Sequence, residues 1–396
     1  MSTRVLQRNP FPGIRPFTGA EDKFFFGRET SVSEVKALLK SNRFVALAGA
    51  SGSGKSSLVQ SGVIPSLLSG NNQEWIPVTV RPGAKPVESL ARGLQQVFHK
   101  KLGEAEIQSF MSGNQELGEL ISRNIPGKHN TLLVVEQFEE LFRIGPSSRR
   151  NVRNPEIDRF INLITRAVKN ESPGIYVIII LRSDFIEACS PYRALTELMN
   201  QSKYLLSQMT GDALTRVITG PVRQSGASVE SGFVEYLLDD MEEVNNELLL
   251  LQHALMRTWD HWTQHRNPDQ PIAIADYQAI GTLRTALTDQ LEEAWSELDE
   301  HRKRICERMF RTITARSDQH SGFRRQASIG NIARIAQCTP DEVIEVAEVF
   351  RGQGRFFLAP YPPAPLTPET GIELSHELLI GLWERLLQWV DGEAES

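Results

Sequence analysis

A glycine-rich run that ends in lysine and serine is the part of the sequence with the clearest chemical meaning. It comprises Gly49, Ala50, Ser51, Gly52, Ser53, Gly54, Lys55, Ser56 and Ser57. The spacing G-x-x-x-x-G-K-S between an apolar segment and a helical pattern is typical of a loop that binds nucleotide phosphates. Its glycines let backbone N–H groups surround phosphate oxygens, and the following helix adds its positive end. Lys55 is expected to reach the β- and γ-phosphates and Ser56 to ligate Mg²⁺, so ATP or ADP is the predicted ligand.

A group of carboxylates follows a second apolar run, TLLVVEQFEELF at 131–142. Glu136 comes directly after five apolar or β-branched residues, where a phosphate-loop protein places the acid that holds Mg²⁺. Glu139 and Glu140 are expected to polarise the attacking water. The alternative for this stretch is an amphipathic helix. Both interpretations hold if the strand ends at Glu136 and a helix follows soon after.

Arginines are candidates for reading the nucleotide state. The segment GIYVIIILRSDF at 174–185 predicts a central strand that ends in Arg182. An arginine at the C-terminal edge of such a strand lies beside the γ-phosphate. The alternative is an ion pair between Arg182 and Asp184. Arg81, or an arginine within 146–156, is a candidate arginine finger across a subunit contact, with solvation as the alternative.

Composition limits the class of protein. The chain has 396 residues, a formal net charge of −6 and three cysteines, a number that indicates neither a disulfide framework nor a zinc site. The negative charge argues against a protein that coats nucleic acid. No apolar run approaches the ~20 residues that span a bilayer, and the N-terminus has no apolar signal core, so we expect a cytoplasmic protein without a membrane segment.

These residues need a parallel sheet to position them. Strands are predicted to begin near Phe44, Glu74, Thr131, Ile175 and Tyr204. The predicted fold is an α/β P-loop NTPase domain over 1–210, with an N-terminal wrapping segment and a parallel sheet of about five strands. A small helical domain over 211–280 and a winged-helix domain over 281–396 are predicted to follow.

The winged-helix prediction rests on local signals near the end of the chain. Thr339 and the following proline begin a helix that is predicted to end at Arg351. Two short strands, RFFLAP and IELSH, surround a proline-rich wing. One further helix is predicted over 377–390.

The ordered motifs resemble a family, the STAND NTPases, and in particular its bacterial novel STAND branch. The similarity extends from NPFPGIRPFTGAEDKFFFGRE through GASGSGKSSLVQSG, RPGAKP, VVEQFEELF, LRSDF and GPVRQSGA to IELSHELLIGLWERLLQW. The resemblance implies a switch that exchanges ADP for ATP, hydrolyses ATP, and self-assembles on activation in bacterial signalling or defence. It also implies an effector or sensor, supplied by a partner protein or by domains outside this sequence.

The resemblance also assigns residues to nucleotide contacts. Phe26, Gly27 and Arg28 match a motif that packs against adenine, although by themselves they indicate only a turn before a helix. Pro221, after Gly220, matches a helical-domain motif that contacts the base; a plain turn is the alternative. His376 matches a histidine that contacts the ADP β-phosphate, and a capping or core histidine is the alternative.

One departure from the family concerns the metal residue. The family usually has aspartate where this chain has Glu136. The extra methylene moves the carboxylate by ~1 Å, which predicts slow hydrolysis rather than lost binding because Mg²⁺ needs near-ideal geometry.

Two alternatives to a switch stay open: an AAA+-like ATPase that acts on DNA through its winged helix, and a scaffold that binds ATP without hydrolysing it. The acidic sequence PDEVIEVAEVFR makes DNA the less expected partner.

Overall fold

The computed structural model describes residues 8–70, 74–98, 102–113, 115–124, 129–143, 154–169, 174–244, 247–267, 269–317, 320–352 and 354–391. The chain divides into a sheet unit, Phe17–Met209, and a helical unit, Met1–Pro16 with Thr210–Ser396. Residues 8–16 therefore group with the helical unit, although the sequence analysis assigned them to the nucleotide-binding domain. The domain boundaries at 211 and 281 stay predictions. Within the described ranges, no helix is both long and apolar enough to cross a bilayer.

The sheet unit contains a five-stranded parallel sheet in the order β2-β3-β4-β1-β5. Its strands are β1 (Phe44–Gly49), β2 (Glu74–Val80), β3 (His129–Val135), β4 (Ile175–Arg182) and β5 (Lys203–Leu205). The parallel five-stranded sheet predicted from the sequence is confirmed, and each strand begins within two residues of its predicted start. Both faces are buried, since Phe44, Ala46 and Ala48 of β1 join one apolar cluster while Val45 and Leu47 join the other. A strand buried on both faces is continuously apolar, which is why the sequence revealed it.

Helices cover both faces of this sheet. They are α1 (Glu29–Asn42), α2 (Lys55–Ser57), α3 (Ile64–Leu68), α4 (Pro86–Phe98), α5 (Glu104–Met111), α6 (Leu117–Asn124), α7 (Glu140–Arg143), α8 (Pro155–Lys169) and α9 (Arg193–Gln201). A π-helical segment, Leu58–Val63, joins α2 to α3, so the helix after the phosphate loop is continuous over 55–68. Glu136 directly follows β3, and α7 begins at Glu140, as the sequence predicted.

The helical unit begins with helices and ends with helices and short strands. Its elements are α10 (Asp212–Gln224), α11 (Phe233–Glu243), α12 (Leu248–His265), α13 (Ile274–Ala279), α14 (Thr282–Ser296), α15 (Glu300–Thr312), β6 (Thr314–Ser317), β7 (His320–Arg324), β8 (Ala327–Ser328), α16 (Ile329–Ala336), α17 (Pro340–Arg351), β9 (Leu358–Ala359), β10 (Gly371–Leu374), α18 (Leu378–Leu382) and α19 (Glu384–Asp391). β10 pairs antiparallel with both β8 and β9, and β6 pairs with β7.

Two local predictions in the helical unit have different outcomes. The helix predicted after Thr339 is confirmed as α17, because the Thr339 hydroxyl accepts from Glu342 N at 3.3 Å and the Glu342 carboxylate accepts from Thr339 N at 2.8 Å. The single helix predicted over 377–390 is wrong. It is broken at Trp383 into α18 and α19, where the buried indole donates to Glu292 Oε1 at 2.7 Å. Trp383 itself has an extended backbone, with φ −85° and ψ 100°.

Candidate functional site

The phosphate loop lies between the end of β1 and the start of α2. Gly52 and Gly54 have φ angles of 74° and 86°, in the left-handed region that favours glycine. A Cβ atom at Gly49 would lie 3.0 Å from Ser53 Oγ and 3.2 Å from the Leu206 carbonyl oxygen. The glycines therefore let the backbone close into a tight loop whose N–H groups can surround an anion.

Lys55 directs its ammonium group into this loop. Its Nζ donates to the carbonyl oxygens of Gly49 at 3.0 Å and Ala50 at 2.7 Å, and the residue is 9% exposed. Burial lowers the pKa of Lys55, and the nearby carboxylate of Glu139 opposes that effect. The result is a poorly hydrated cation, for which phosphate oxygens are stronger acceptors than carbonyl groups.

The two predicted magnesium residues are in direct contact. Ser56 Oγ donates to Glu136 Oε2 at 2.6 Å, and Gln60 Nε2 lies 3.4 Å from the other carboxylate oxygen. Burial raises the pKa of Glu136, while the hydrogen bonds from Ser56 and Gln60 oppose the rise. The folding of β3 beside the loop therefore joins a hydroxyl and a carboxylate that lie far apart in the sequence. Both supply the oxygen atoms that Mg²⁺ prefers.

Glu139 lies toward the end of β4. It is 7% exposed, and its Oε2 accepts from Arg182 N at 3.3 Å. The Arg182 guanidinium binds Asp184 through two hydrogen bonds of 3.0 and 2.6 Å. The ion pair named as the alternative for Arg182 is therefore present, and a role of Arg182 in sensing the γ-phosphate stays a prediction.

Glu140 lies toward β2 instead. Its Oε1 accepts from Arg81, with Nε at 2.7 Å, and its Oε2 accepts from Gly83 N at 3.2 Å. These bonds hold the loop after β2, so Arg81 has a partner within its own unit. The other arginine-finger candidates, in 146–156, lie outside the described residues.

The Phe26, Gly27 and Arg28 motif precedes α1 and contacts the phosphate loop. Gly27 has a φ angle of 84°, which confirms a turn at this place. Arg28 is 7% exposed, its Nη2 donates to Ser53 O at 3.2 Å, and burial lowers the pKa of its guanidinium. Half-buried Phe26 lies two residues away along the chain. Contact of this motif with adenine stays a prediction.

The remaining two site residues belong to the helical unit. Pro221 lies inside α10, so the alternative of a plain turn is wrong for this residue. His376 lies between β10 and α18, and its Nδ1 accepts from Leu378 N at 3.1 Å. That is the capping contact named as the alternative. The predicted nucleotide contacts of Pro221 and His376 stay predictions.

The residues of the sheet unit suit a nucleotide with Mg²⁺. Ser53 Oγ is buried, and among the described residues it has no hydrogen-bond partner, so the loop keeps a polar group for a ligand. No group of three or more His, Cys, Asp or Glu side chains that could hold a metal occurs within the described ranges. One hydroxyl and one carboxylate suffice where Mg²⁺ takes its other ligands from phosphates and water.

Comparison with known proteins places the chain in a family. The model of the family described as Novel STAND NTPase 1 matches residues 10–396. The chain belongs to this family. The resemblance found in the motifs is thereby confirmed, and membership in the novel STAND NTPases supports a nucleotide-dependent ATPase. No curated protein matches the chain.

Three of the solved structures that are similar to this chain come from Aeropyrum pernix and Pyrobaculum aerophilum. The ORC2 protein of Aeropyrum pernix, solved as ADPNP-ADP complexes, is 12% identical over 93% of this chain and 95% of its own, with a TM-score of 0.47. The Aeropyrum pernix ORC1 protein in complex with DNA is 13% identical over 93% of each chain, with a TM-score of 0.46. Cdc6p of Pyrobaculum aerophilum is 12% identical over 92% of this chain and 94% of its own, with a TM-score of 0.44.

Two residues of the novel STAND site were missed by the sequence analysis. Gln60 lies close to Glu136 and also 3.3 Å from Thr79 Oγ1. Its position four residues after Ser56, on one face of a helix, was the available signal. Phe17 N donates to Ser57 Oγ at 3.2 Å, and no local pattern in the sequence indicates this contact.

Proposed function

We propose that this chain is an ATP/ADP-dependent switch that hydrolyses ATP slowly and self-assembles in its ATP state. The observation that carries the proposal is the direct contact of Ser56 with Glu136 beside the buried ammonium of Lys55. A phosphate loop, a cation and a hydroxyl–carboxylate pair at one edge of a parallel sheet are the parts that phosphoryl transfer needs. Bacterial signalling or defence is the setting that the family suggests.

Each residue of the phosphate loop has a role in binding. The backbone N–H groups of 49–57 and the Lys55 ammonium hold the β- and γ-phosphates, and Ser56 with Glu136 holds Mg²⁺. Bound Mg²⁺ neutralises charge on the phosphate oxygens. Arg28 supports the loop from outside through its bond to Ser53 O. Phe26 and Gly27 line the approach of the adenine.

Glu139 is the proposed general base. It is buried, it is held by the backbone N–H of Arg182, and its charge acts on Lys55. In this role it takes a proton from the water whose oxygen bonds to the γ-phosphorus, while the bond from that phosphorus to the β–γ bridging oxygen breaks and ADP leaves. Glu140 instead binds Arg81 and Gly83, so its role is to hold the loop after β2.

Slow turnover follows from Glu136 in place of aspartate. A displacement of ~1 Å at a catalytic group can lower a rate by about 100-fold, whereas phosphate affinity depends mainly on the loop and Lys55. Slow hydrolysis suits a switch because the lifetime of the ATP state is the signal. Arg182 senses the γ-phosphate, because its guanidinium leaves Asp184 and forms a hydrogen bond to a phosphate oxygen instead.

The helical unit supplies the responding part of the proposed switch. The helices α15 to α17 followed by the antiparallel β9–β10 pair support a winged-helix assignment. Pro221 contacts the base and His376 contacts the ADP β-phosphate in the resting state. Exchange for ATP releases the His376 contact and exposes surface for self-assembly with an effector or sensor partner.

Action on DNA through the winged helix receives little support from α17. Its surface carries Glu342 and Glu345, which pair with His301 at 2.8 Å and Arg302 at 2.6 Å. A recognition helix in the major groove needs basic and polar side chains rather than carboxylates. A nucleotide switch is therefore the function that the charges favour.

Nucleotide turnover and assembly measured on the same preparation test this function. The purified chain is incubated with Mg²⁺ and ATP, ADP or no nucleotide, while phosphate release and particle mass by light scattering are followed. We expect slow phosphate release and a larger particle with ATP only, and neither with Lys55→Ala. Binding without phosphate release or mass change would refute the switch and favour a non-hydrolysing scaffold. Salt-sensitive binding to duplex DNA would favour the DNA alternative.

A further inference from the structure

Residues 9–18, named the strap, contain one of the places where the chain passes from the helical unit to the sheet unit. The division between units falls between Pro16 and Phe17, so the strap belongs to both. The chain passes between the units a second time at Met209 and Thr210. The contacts at each end of the strap can be described within the unit to which that end belongs.

The first end of the strap is fastened to α12 of the helical unit. Asn9 Nδ2 donates to Met256 O at 2.9 Å and to Asp260 Oδ1 at 2.8 Å. Phe11 is 3% exposed and packs edge-on against Trp259, with ring centroids 6.4 Å apart. Polar and apolar contacts therefore fix this end along more than one turn of α12.

The strap then reaches the segment that holds His376. Gly13 lies so close to α12 that a Cβ atom would be 2.6 Å from Met256 Sδ. The Arg15 guanidinium lies over the Phe356 ring, 5.1 Å from its centroid. The carbonyl oxygen of Phe356 accepts a hydrogen bond from Ser375, the residue before His376. Arg15 is thus linked through two contacts to the proposed β-phosphate residue.

The second end of the strap is fastened to the helix that follows the phosphate loop. Phe17 N donates to Ser57 Oγ at 3.2 Å, and Ser61 Oγ donates to Thr18 O at 2.8 Å. The two serines lie about one helical turn apart, so they hold two adjacent residues of the strap, Phe17 and Thr18. Ser57 directly follows the predicted magnesium residue Ser56.

The link between these two ends is short and stiff. Only Pro16 separates Arg15 from Phe17, and its ring locks φ near −65°. The residue before a proline is restricted as well. A displacement of the helix at Ser57 is therefore passed along the chain rather than absorbed by slack.

We propose that the strap transmits the nucleotide state of the phosphate loop to α12 and to the segment of His376. This inference rests on the proposed switch and names the element that carries its signal. A movement of the helix at Ser56 on exchange of ADP for ATP pulls on Phe17 and Thr18. Arg15, Phe11 and the elements they contact then respond.

A longer link tests the proposal without removing any contact. Four residues, Gly-Ser-Gly-Ser, are inserted between Pro16 and Phe17 of the full chain, and the matched control carries the same insertion between Ser112 and Gly113 in an exposed turn. Hydrogen exchange of α12 and of β9–β10 is compared with ADP and with a slowly hydrolysed ATP analogue. Nucleotide binding is measured on every protein.

The expected result separates the two insertions. In the unmodified chain and in the control, exchange in α12 differs between the two nucleotides. In the strap insertion we expect this difference to fall by about fivefold or more, because coupling between allosteric sites is typically at least about fivefold. Nucleotide should still bind to this variant. Ser61→Ala should also lower the difference in exchange of α12 between the two nucleotides. Ser33→Ala should not, because the Ser33 hydroxyl bonds to Glu29 O within its own helix at 3.1 Å.

The exchange experiment gives different results if the strap proposal is wrong and if the proposed switch is wrong. If the unmodified chain and the strap insertion respond equally, the strap proposal is overturned and the switch stands. If the unmodified chain binds both nucleotides with identical exchange, there is no signal to transmit and both are overturned. A chain that binds no nucleotide also overturns both.

Discussion

Replacing Glu139 by glutamine is the sharpest test of the proposed chemistry. The change keeps the size of the side chain, and the amide oxygen can still accept from Arg182 N, which lies 3.3 Å from the present carboxylate. It removes the proton acceptor at this position, a side chain that is only 7% exposed. A general base contributes about 10²- to 10⁴-fold to a rate. We expect kcat to fall by that factor.

Glu140→Gln is the matched control because it changes the adjacent acid. Glu140 binds Arg81, whose side chain is 34% exposed, so loss of this ion pair costs ~1 kcal/mol. That energy corresponds to less than about a tenfold change in rate even if all of it reached the transition state. The two variants should therefore differ by at least about tenfold in kcat.

The assay combines phosphate release with binding of a fluorescent ATP analogue. Binding should be nearly unchanged in both variants, since Lys55 and the backbone loop supply the phosphate contacts. Loss of kcat in Glu140→Gln with retention in Glu139→Gln would refute the assignment and make Glu140 the base. Equal, small effects would mean that neither acid removes the proton.

Three further predictions concern the metal residue, acid stability and a helix cap. Glu136→Asp should speed phosphate release by up to about 100-fold with unchanged nucleotide affinity, and an equal or lower rate would contradict a limit set by the extra methylene. Burial lowers the pKa of His253 to about 4. Because unfolded chains protonate this group near pH 6.5, the free energy of unfolding should fall by about 3 kcal/mol from pH 6.5 to pH 4. His253→Gln should flatten that dependence in urea unfolding, and an unaltered slope would exclude His253 as its cause. Thr339→Ala should cost ~1 kcal/mol in thermal unfolding, whereas Thr339→Ser should cost little, and equal losses would exclude the cap of α17.

Local signals account for the predictions that the structure confirms. The central strands β1, β3 and β4 are mainly apolar and buried because parallel sheets bury both faces, whereas the edge strands β2 and β5 also carry exposed residues. The start of α17 follows from Thr339 and Glu342, which need only each other to close a capping box. Each of these features depends on residues within a few positions of one another.

The predictions that failed or stayed ambiguous depend on distant contacts. At the break, the Trp383 indole donates to Glu292 of α14, 91 residues earlier in the chain, and neither residue carries a local sign of that contact. Glu139 and Glu140 are adjacent and chemically identical, and only their distant partners distinguish them, Arg182 N for Glu139 and Arg81 for Glu140. Sequence patterns describe neighbours along the chain and cannot show these partners.

The sequence by itself determined the phosphate loop, because one continuous segment contains the glycines, lysine and serine that the chemistry requires. It also determined the family, because the family's motifs follow one another in order along most of the chain. Only the tertiary structure decided which groups meet that loop. It brings Glu136 to Ser56, holds Glu139 at Arg182 N and Glu140 at Arg81, and fastens the strap to Ser57. These contacts join residues far apart in the chain, and they form only when burial of both sheet faces brings the strand ends together.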